Sequence, residues 1–411
     1  MRFSAPGFPA EAVRDRARRG LAAAFPQLDG YGHTLFGAGA ARLPVAADSV
    51  DALRLVPPVL MPDRLAKLID LGREPTPDDV RLESWIGGLR SPLPVYVSAF
   101  GSTRAASGAD LGLAVTRQAG QLGVPIVVGE SVVPVHGFRQ AAASLSERLR
   151  EYTAAAPPEF GGVVVQQSTQ DADAEVWNLV HSDPAAQPLL DSGRLAFELK
   201  VGQGAKPGLG GMTVVDREEA ARLADRYSMV DLPGSDLVLR CSSAGTFTEE
   251  ILRQQIRFMR NNYPRVRVWV KFHPGRDVGR AAEVAWAAGA DAVTVDGPGA
   301  GTGWAPSAFL DQVGLPLGEC LRRIDPGDAC LLVSGGVWEG VRAAKCLALG
   351  ARAVGLGRAA LLAADEVPHR GLAGLLDCIA FELRLLISAM GRYEATALGP
   401  ADVWEPGRPT S

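Results

Sequence analysis

From residue 93 onward the chain repeats one unit, a short β-branched run followed by a longer stretch of helical periodicity. Such repetition builds a parallel sheet, because parallel neighbours need a crossover long enough to hold a helix. The candidate strands are Pro94–Ala99, Pro125–Glu130, Gly162–Gln167, Leu195–Val201, Asp236–Arg240, Val266–Phe272, Asp291–Asp296, Cys330–Ser334 and Ala353–Gly357. That is one more than a closed eight-stranded barrel holds. Asp236–Arg240 sits in the longest interval between strong strands and is read as an excursion outside the barrel. The stretches Asp277–Ala288 and Glu339–Leu349 run into Gly289-Ala290 and Gly350-Ala351, and a glycine just past a helix end takes the left-handed cap. An open doubly wound sheet has the same alternation. Motif placement favours the barrel, because glycine-rich and polar clusters follow successive strand ends, where barrel chemistry collects.

The expected fold class is α/β, a (β/α)8 TIM barrel with an N-terminal extension and a C-terminal helix. Residues 1–90, richer in Pro and Arg, are expected to pack on the barrel as the extension. Residues 91–370 form the barrel. Residues 371–411 hold an amphipathic helix, Gly371–Gly391, and a polar tail.

The 411 residues are 47% hydrophobic and 21% charged, enough for a large core, and the formal net charge of -4 offers no basic field to a polyanion. Nucleic acid and anionic membrane surfaces are therefore not expected partners; a small molecule is. The basic start has no long apolar stretch behind it, and nowhere do about 18 apolar residues run uninterrupted. A cytoplasmic location is the expectation. Cys241, Cys320, Cys330, Cys346 and Cys378 show no ligand-like spacing and read as reduced thiols, with no metal site.

Ser334-Gly335-Gly336 closes one candidate strand, and Gly355-Leu356-Gly357-Arg358 closes the next. Glycines at two successive strand ends let backbone amides approach a phosphate, with Arg358 adding a charge-assisted contact. Either loop alone would read equally well as a tight turn. Lys271 ends VRVWVKF, where alternation points it into the barrel, and a buried ammonium needs a partner. The N1/C2 carbonyl side of a flavin fits; a lysine snorkelling to solvent is the alternative. FELKVGQGAKPGLGG, residues 197–211, sets Lys200 and Lys206 around Gln203 and five glycines at a strand mouth. Glycine is entropically expensive to order, so such a loop has little reason to exist as scaffold.

These segments resemble the FMN domain of the glutamate synthase family, including its archaeal-type and N-methylglutamate synthase relatives. FELKVGQGAKPGLGG is similar to that family's KxxQGAKPGxGG loop, PVYVSAFGS to SAMSFG, VVGESVVP to TGEGG, and VWVKF to its VKL strand. VDGPGAGTGWAPSAFLDQVGLP is similar to SGxDGGTGASP…GLP, and VSGGVWEGVRAAKCLALGARAVGLGRAAL to ADGGLRTGRDVAKALALGADAVGFGTAAL. In order, these cover roughly residues 90–365, and FELRLLISAMG extends the likeness into the closing helix.

The resemblance implies FMN as cofactor, with contacts from Ser98, Ala99, Gln166, Lys271, Ser334, Gly335, Gly336, Gly357 and Arg358. It implies Lys200, Lys206 and Glu130 on the substrate side of the flavin, with Asp296 shaping the pocket. Two lysines beside one carboxylate suit an amino or keto acid, the lysines holding its carboxylates and the glutamate taking an ammonium or imine proton. His273 is expected to serve as an acid or base, or else to lie in a surface loop.

The chain also departs from that family. Where three cysteines should hold a 3Fe-4S cluster, only Cys378 stands, and no cysteine nucleophile follows Met1 for glutamine hydrolysis. GEGGQ becomes Gly208-Leu209-Gly210-Gly211-Met212, which removes a donor and an acceptor where 2-oxoglutarate would bind. Trp304 replaces a small residue and either narrows the pocket or simply packs. The expected function is an FMN-dependent oxidoreductase of the C–N bond of an amino or imino/2-oxo acid, lacking cluster and glutaminase. A redox-neutral amine transferase or isomerase, and a non-catalytic flavin subunit, remain open. So do a homo-oligomer and a partner subunit.

Overall fold

In a computed structural model of the chain, the described residues are 3–24, 49–100, 109–129, 138–168, 176–202, 204, 213–225, 227–232, 236–241, 247–301 and 312–406. Eight parallel strands close into a barrel: β1 (Val95–Val97), β2 (Ile126–Val128), β3 (Val163–Ser168), β4 (Leu195–Lys200), β5 (Arg267–Phe272), β6 (Ala292–Asp296), β7 (Leu331–Ser334) and β8 (Ala353–Leu356). Neighbours in sequence are neighbours in the sheet, and β8 pairs with β1 through Val354↔Val95 and Leu356↔Val97. A closed sheet has no edge to protect, and its outward residues are covered by helices. The crossover helices include Ala109–Gln121, Phe138–Ala155, Val278–Ala287 and Gly340–Ala348, and Gly289 and Gly350 leave the last two with φ of +105° and +99°.

The Asp236–Arg240 segment is a strand, and it lies outside the barrel as expected. Leu237–Cys241 is the middle of a three-stranded antiparallel sheet, flanked by Thr213–Asp216 and Ser228–Asp231, inserted between β4 and β5.

The amino end of the barrel is closed by a hairpin, Ser84–Ile86 with Leu89–Ser91, which strand-poor reading of residues 1–90 does not anticipate. Its turn, Gly87-Gly88, has φ of +53° and +88°, open to glycine but strained for other residues. A side chain at Gly87 would also strike Trp269, whose indole Nε1 donates to the Gly87 carbonyl at 3.0 Å. Ile86 and Leu89 thus join one buried interior layer with Tyr96, Val127, Val164, Ala196, Trp269, Ala292, Leu332 and Ala353, one residue from each barrel strand.

Beyond the barrel, helix Ala10–Arg19 packs on Arg358–Glu366 and Gly371–Ala389. Gly374 makes the approach possible, since a Cβ there would lie 2.9 Å from the carbonyls of both Arg16 and Ala17. Arg14 reaches Glu366 at 2.8 Å and Asp365 at 3.2 Å, and Arg16 pairs with Glu382. The segment after the closing helix is less of a free tail than its polarity suggests. Tyr393, Ala395 and Leu398 are buried, and Val403–Trp404 pairs with Arg54–Leu55. Among the described residues, no helix is long and apolar enough to cross a membrane.

Candidate functional site

Two residues beyond the apolar layer, toward the carboxyl ends, each strand presents a different kind of residue: Ser98, Gly129, Gln166, Glu198, Lys271, Thr294, Ser334 and Gly355. The period of two that buries the layer below also aims these groups inward. Six are polar and buried. Two are glycines, and Gly355 is required, because a Cβ there would come within 2.1 Å of Ser98 Oγ and 2.6 Å of the Tyr96 ring.

The polar residues form two linked sets. In one, Glu198 accepts from Gln166 Nε2 and, at 3.0 Å, from Thr294 Oγ1. Burial pushes the Glu198 carboxyl above its ordinary range, against the pull of nearby Lys271. In the other, Asp296 accepts from Ser334 Oγ and, at 3.1 Å, from the Gly204 amide, and pairs with Lys271 Nζ at 3.1 Å. The partner that the Lys271 ammonium requires is thus supplied by the protein itself. Below both sets, burial and the two carboxylates push the Tyr96 phenol well above 10. The interior is therefore buried, polar and tied largely by its own contacts, a floor on which a planar polar group can rest.

At the rim lie the next residues in the same alternation, including Ser168, Lys200, His273, Asp296, Gly336 and Gly357. His273 packs so closely on Gly202 that a Cβ at 202 would fall 2.4 Å from Nδ1. That buried Nδ1 has no hydrogen-bond partner among the described residues. Desolvation lowers the ring's pKa from its ordinary value, against the pull of Asp277 and Asp296.

The ends of β7 and β8 carry the glycine clusters. Gly335 and Gly336 have φ of +124° and +72°, and their loop packs on 297–301, with Gly297 N donating to Ser334 O at 2.7 Å. Gly357 caps helix Arg358–Glu366, and a Cβ there would meet none of the described residues within 4 Å. Arg358 lies over the Phe8 ring at 4.4 Å and donates to the Gly299 carbonyl at 2.7 Å. These are amides at a helix start with a guanidinium at hand, as a phosphate monoester needs. Ser98 Oγ, buried in the interior beside the Tyr96 hydroxyl, is a further polar atom within a ligand's reach. The described residues therefore fit a flavin mononucleotide.

Of the residues expected from the sequence, Ser98, Ala99, Gln166, Lys200, Lys271, His273, Asp296, Ser334, Gly335, Gly336, Gly357 and Arg358 stand at this one end of the barrel. Glu130, Gln203, Lys206, Met212 and Trp304 lie outside the described residues. Glu198, at the centre of the interior, escapes the motif-based reading. Its signal was the alternation Ala196, Glu198, Lys200 within an otherwise apolar strand. Among the described residues, no group of three or more His, Cys, Asp or Glu side chains is arranged to hold a metal ion.

Residues 188–370 match a family described as the conserved region in glutamate synthase. An archaeal-type glutamate synthase [NADPH] of Dehalococcoides mccartyi is 36% identical over 183 residues, covering 42% of this chain and 36% of that protein. The chain thus spans little more than a third of that relative's length. Among solved structures, (S)-mandelate dehydrogenase from Pseudomonas putida, in a soluble mutant of the membrane-associated enzyme, superposes with a TM-score of 0.58 at 20% identity, covering 97% of this chain and 99% of that one. A mandelate oxidase mutant with a C4a-OH-FMN adduct gives a TM-score of 0.52 at 22% identity, covering 94% and 96%. These two share the fold.

Proposed function

We propose, from the match of residues 188–370 to the conserved region in glutamate synthase, that the chain is an FMN-dependent oxidoreductase acting on the C–N bond of an amino acid or its imino or 2-oxo counterpart. The observation that carries the reading is the pairing of a glycine-built rim at β7 and β8 with a buried lysine in the neighbouring interior. A phosphate and a redox-active ring need those two environments, a short distance apart.

In this reading the Gly335, Gly336 and Gly357 loops and Arg358 hold the phosphate. Ser98, Ala99, Gln166, Ser334 and Lys271 line the ring. Bound FMN supplies a two-electron acceptor for hydride. Lys271, fixed by Asp296 at 3.1 Å, places a positive charge in a buried site, where it favours a ring that has gained negative charge. Lys200 and Lys206 hold the substrate carboxylates, with Gln203, Met212 and Trp304 shaping the pocket. Glu130 accepts the proton that leaves nitrogen, with His273 beside the site as a further acid or base. With Cys378 alone in place of a cysteine triplet, no iron–sulfur relay is proposed, and electrons leave to oxygen or a free nicotinamide.

The test is anaerobic mixing of the FMN-loaded protein with a panel of amino acids. Bleaching of the oxidised flavin band by at least one of them is expected. Turnover without bleaching would replace the oxidoreductase with a redox-neutral transferase or isomerase, and neither would leave a flavin-binding subunit.

A further inference from the structure

We propose that Arg342 is a positioning residue for the phosphate site, locking the Gly335–Gly336 peptide so that the Gly336 N–H faces the phosphate of FMN. The inference rests on the flavin reading above and assigns a role to a residue that never touches the ligand.

A trans peptide is planar, with its C=O and N–H pointing in opposite directions. Whatever fixes the Gly335 carbonyl therefore fixes the Gly336 amide. Arg342 Nε donates to that carbonyl at 3.2 Å from within helix Gly340–Ala348. Its guanidinium also lies flat under the next residue, so that a Cβ at Gly336 would fall 3.2 Å from Cζ. The Gly336 nitrogen lies beside Gly299, 3.7 Å from where a Cβ on Gly299 would stand, and the Gly299 carbonyl accepts from Arg358. Two adjacent glycines tolerate either orientation of the peptide between them, so the choice must come from a neighbour.

Arg342 is itself anchored from outside the barrel. It is 2% exposed and pairs with Asp51 at 2.6 Å, in the short helix Ser49–Ala52, while Lys345 Nζ donates to the Asp51 carbonyl at 3.1 Å. The start of the same helix is held by Glu382, which accepts from Gly340 N at 2.6 Å and pairs with Arg16.

The test is titration of apo-protein with FMN and with riboflavin, which lacks the phosphate, followed by quenching of flavin fluorescence. Losing one aligned amide on a doubly charged phosphate should weaken FMN by roughly tenfold in Arg342→Met. Riboflavin should bind as it does to the parent. Arg342→Lys, which keeps a donor for the Gly335 carbonyl, should recover part of the FMN affinity, and Asp51→Asn should fall between. If Arg342→Met fails to fold, Arg342→Lys and Asp51→Asn carry the comparison. Equal losses for FMN and riboflavin, or no loss for either, would overturn the proposal while leaving the flavin reading intact. A parent protein that binds neither flavin would overturn both.

Discussion

Single buried charges decide much of what this barrel interior can do. Lys271 and Asp296 are 8% and 1% exposed, so removing one strands the other without water. Lys271→Met should therefore destabilise the apo-protein by about 3–5 kcal/mol. Lys271→Met with Asp296→Asn should be milder, and urea midpoints measure both. Glu339 makes a second prediction. Burial, and next the Glu382 carboxylate, push it up to about 7 from an ordinary 4.5. Between those values the folded protein binds a proton that the unfolded chain does not, so this group's contribution to stability falls as pH rises from about 4.5 to about 7. Glu339→Gln should remove that loss, melting above the parent at pH 8 by the equivalent of up to about 3 kcal/mol and converging with it near pH 4.5. At this scale the sequence was informative where alternation applied: Lys271 reads as inward from its strand alone. It was silent on Asp51 and Arg342, which meet only because 291 positions of chain fold back between them.

Elements translate those residues into a site. Strand alternation and glycines at strand ends are local signals, and they located all eight barrel strands and both loops of the rim. The hairpin at Ser84–Ser91 and the sheet around Leu237–Cys241 were harder to read. Their short strands carry little periodicity, and their partners lie in chain reversals that composition does not mark. Two glycines separate packing from binding. Gly355→Ala should cost about 1–3 kcal/mol, because its Cβ would overlap Ser98 and Tyr96. Gly357→Ala, whose Cβ would meet none of the described residues within 4 Å, should leave the melting temperature within about a degree of the parent. It should nonetheless weaken FMN binding, because that is where the phosphate is proposed to sit. An equal loss of stability in both variants would contradict this division.

For the whole molecule, the barrel and its closing helices are tied to residues far upstream of them in the chain. Arg14 and Arg16 bind Glu366 and Glu382, and Asp51 reaches the helix that carries the Gly335–Gly336 loop. Segment and site are mechanically one unit, so damage to the Asp51 contact should be felt as lost phosphate affinity. None of that coupling can be read from periodicity, which reports faces of elements and not which distant faces meet. What the sequence did carry was the rim's glycines, because the phosphate recognition proposed here demands glycines at fixed strand ends. Its central consequence is tested most directly by adding FMN to the purified apo-protein, removing excess by gel filtration and recording the visible spectrum. A yellow protein retaining about one flavin per chain, with riboflavin retained less, is the predicted result. A colourless protein that retains neither would contradict the account.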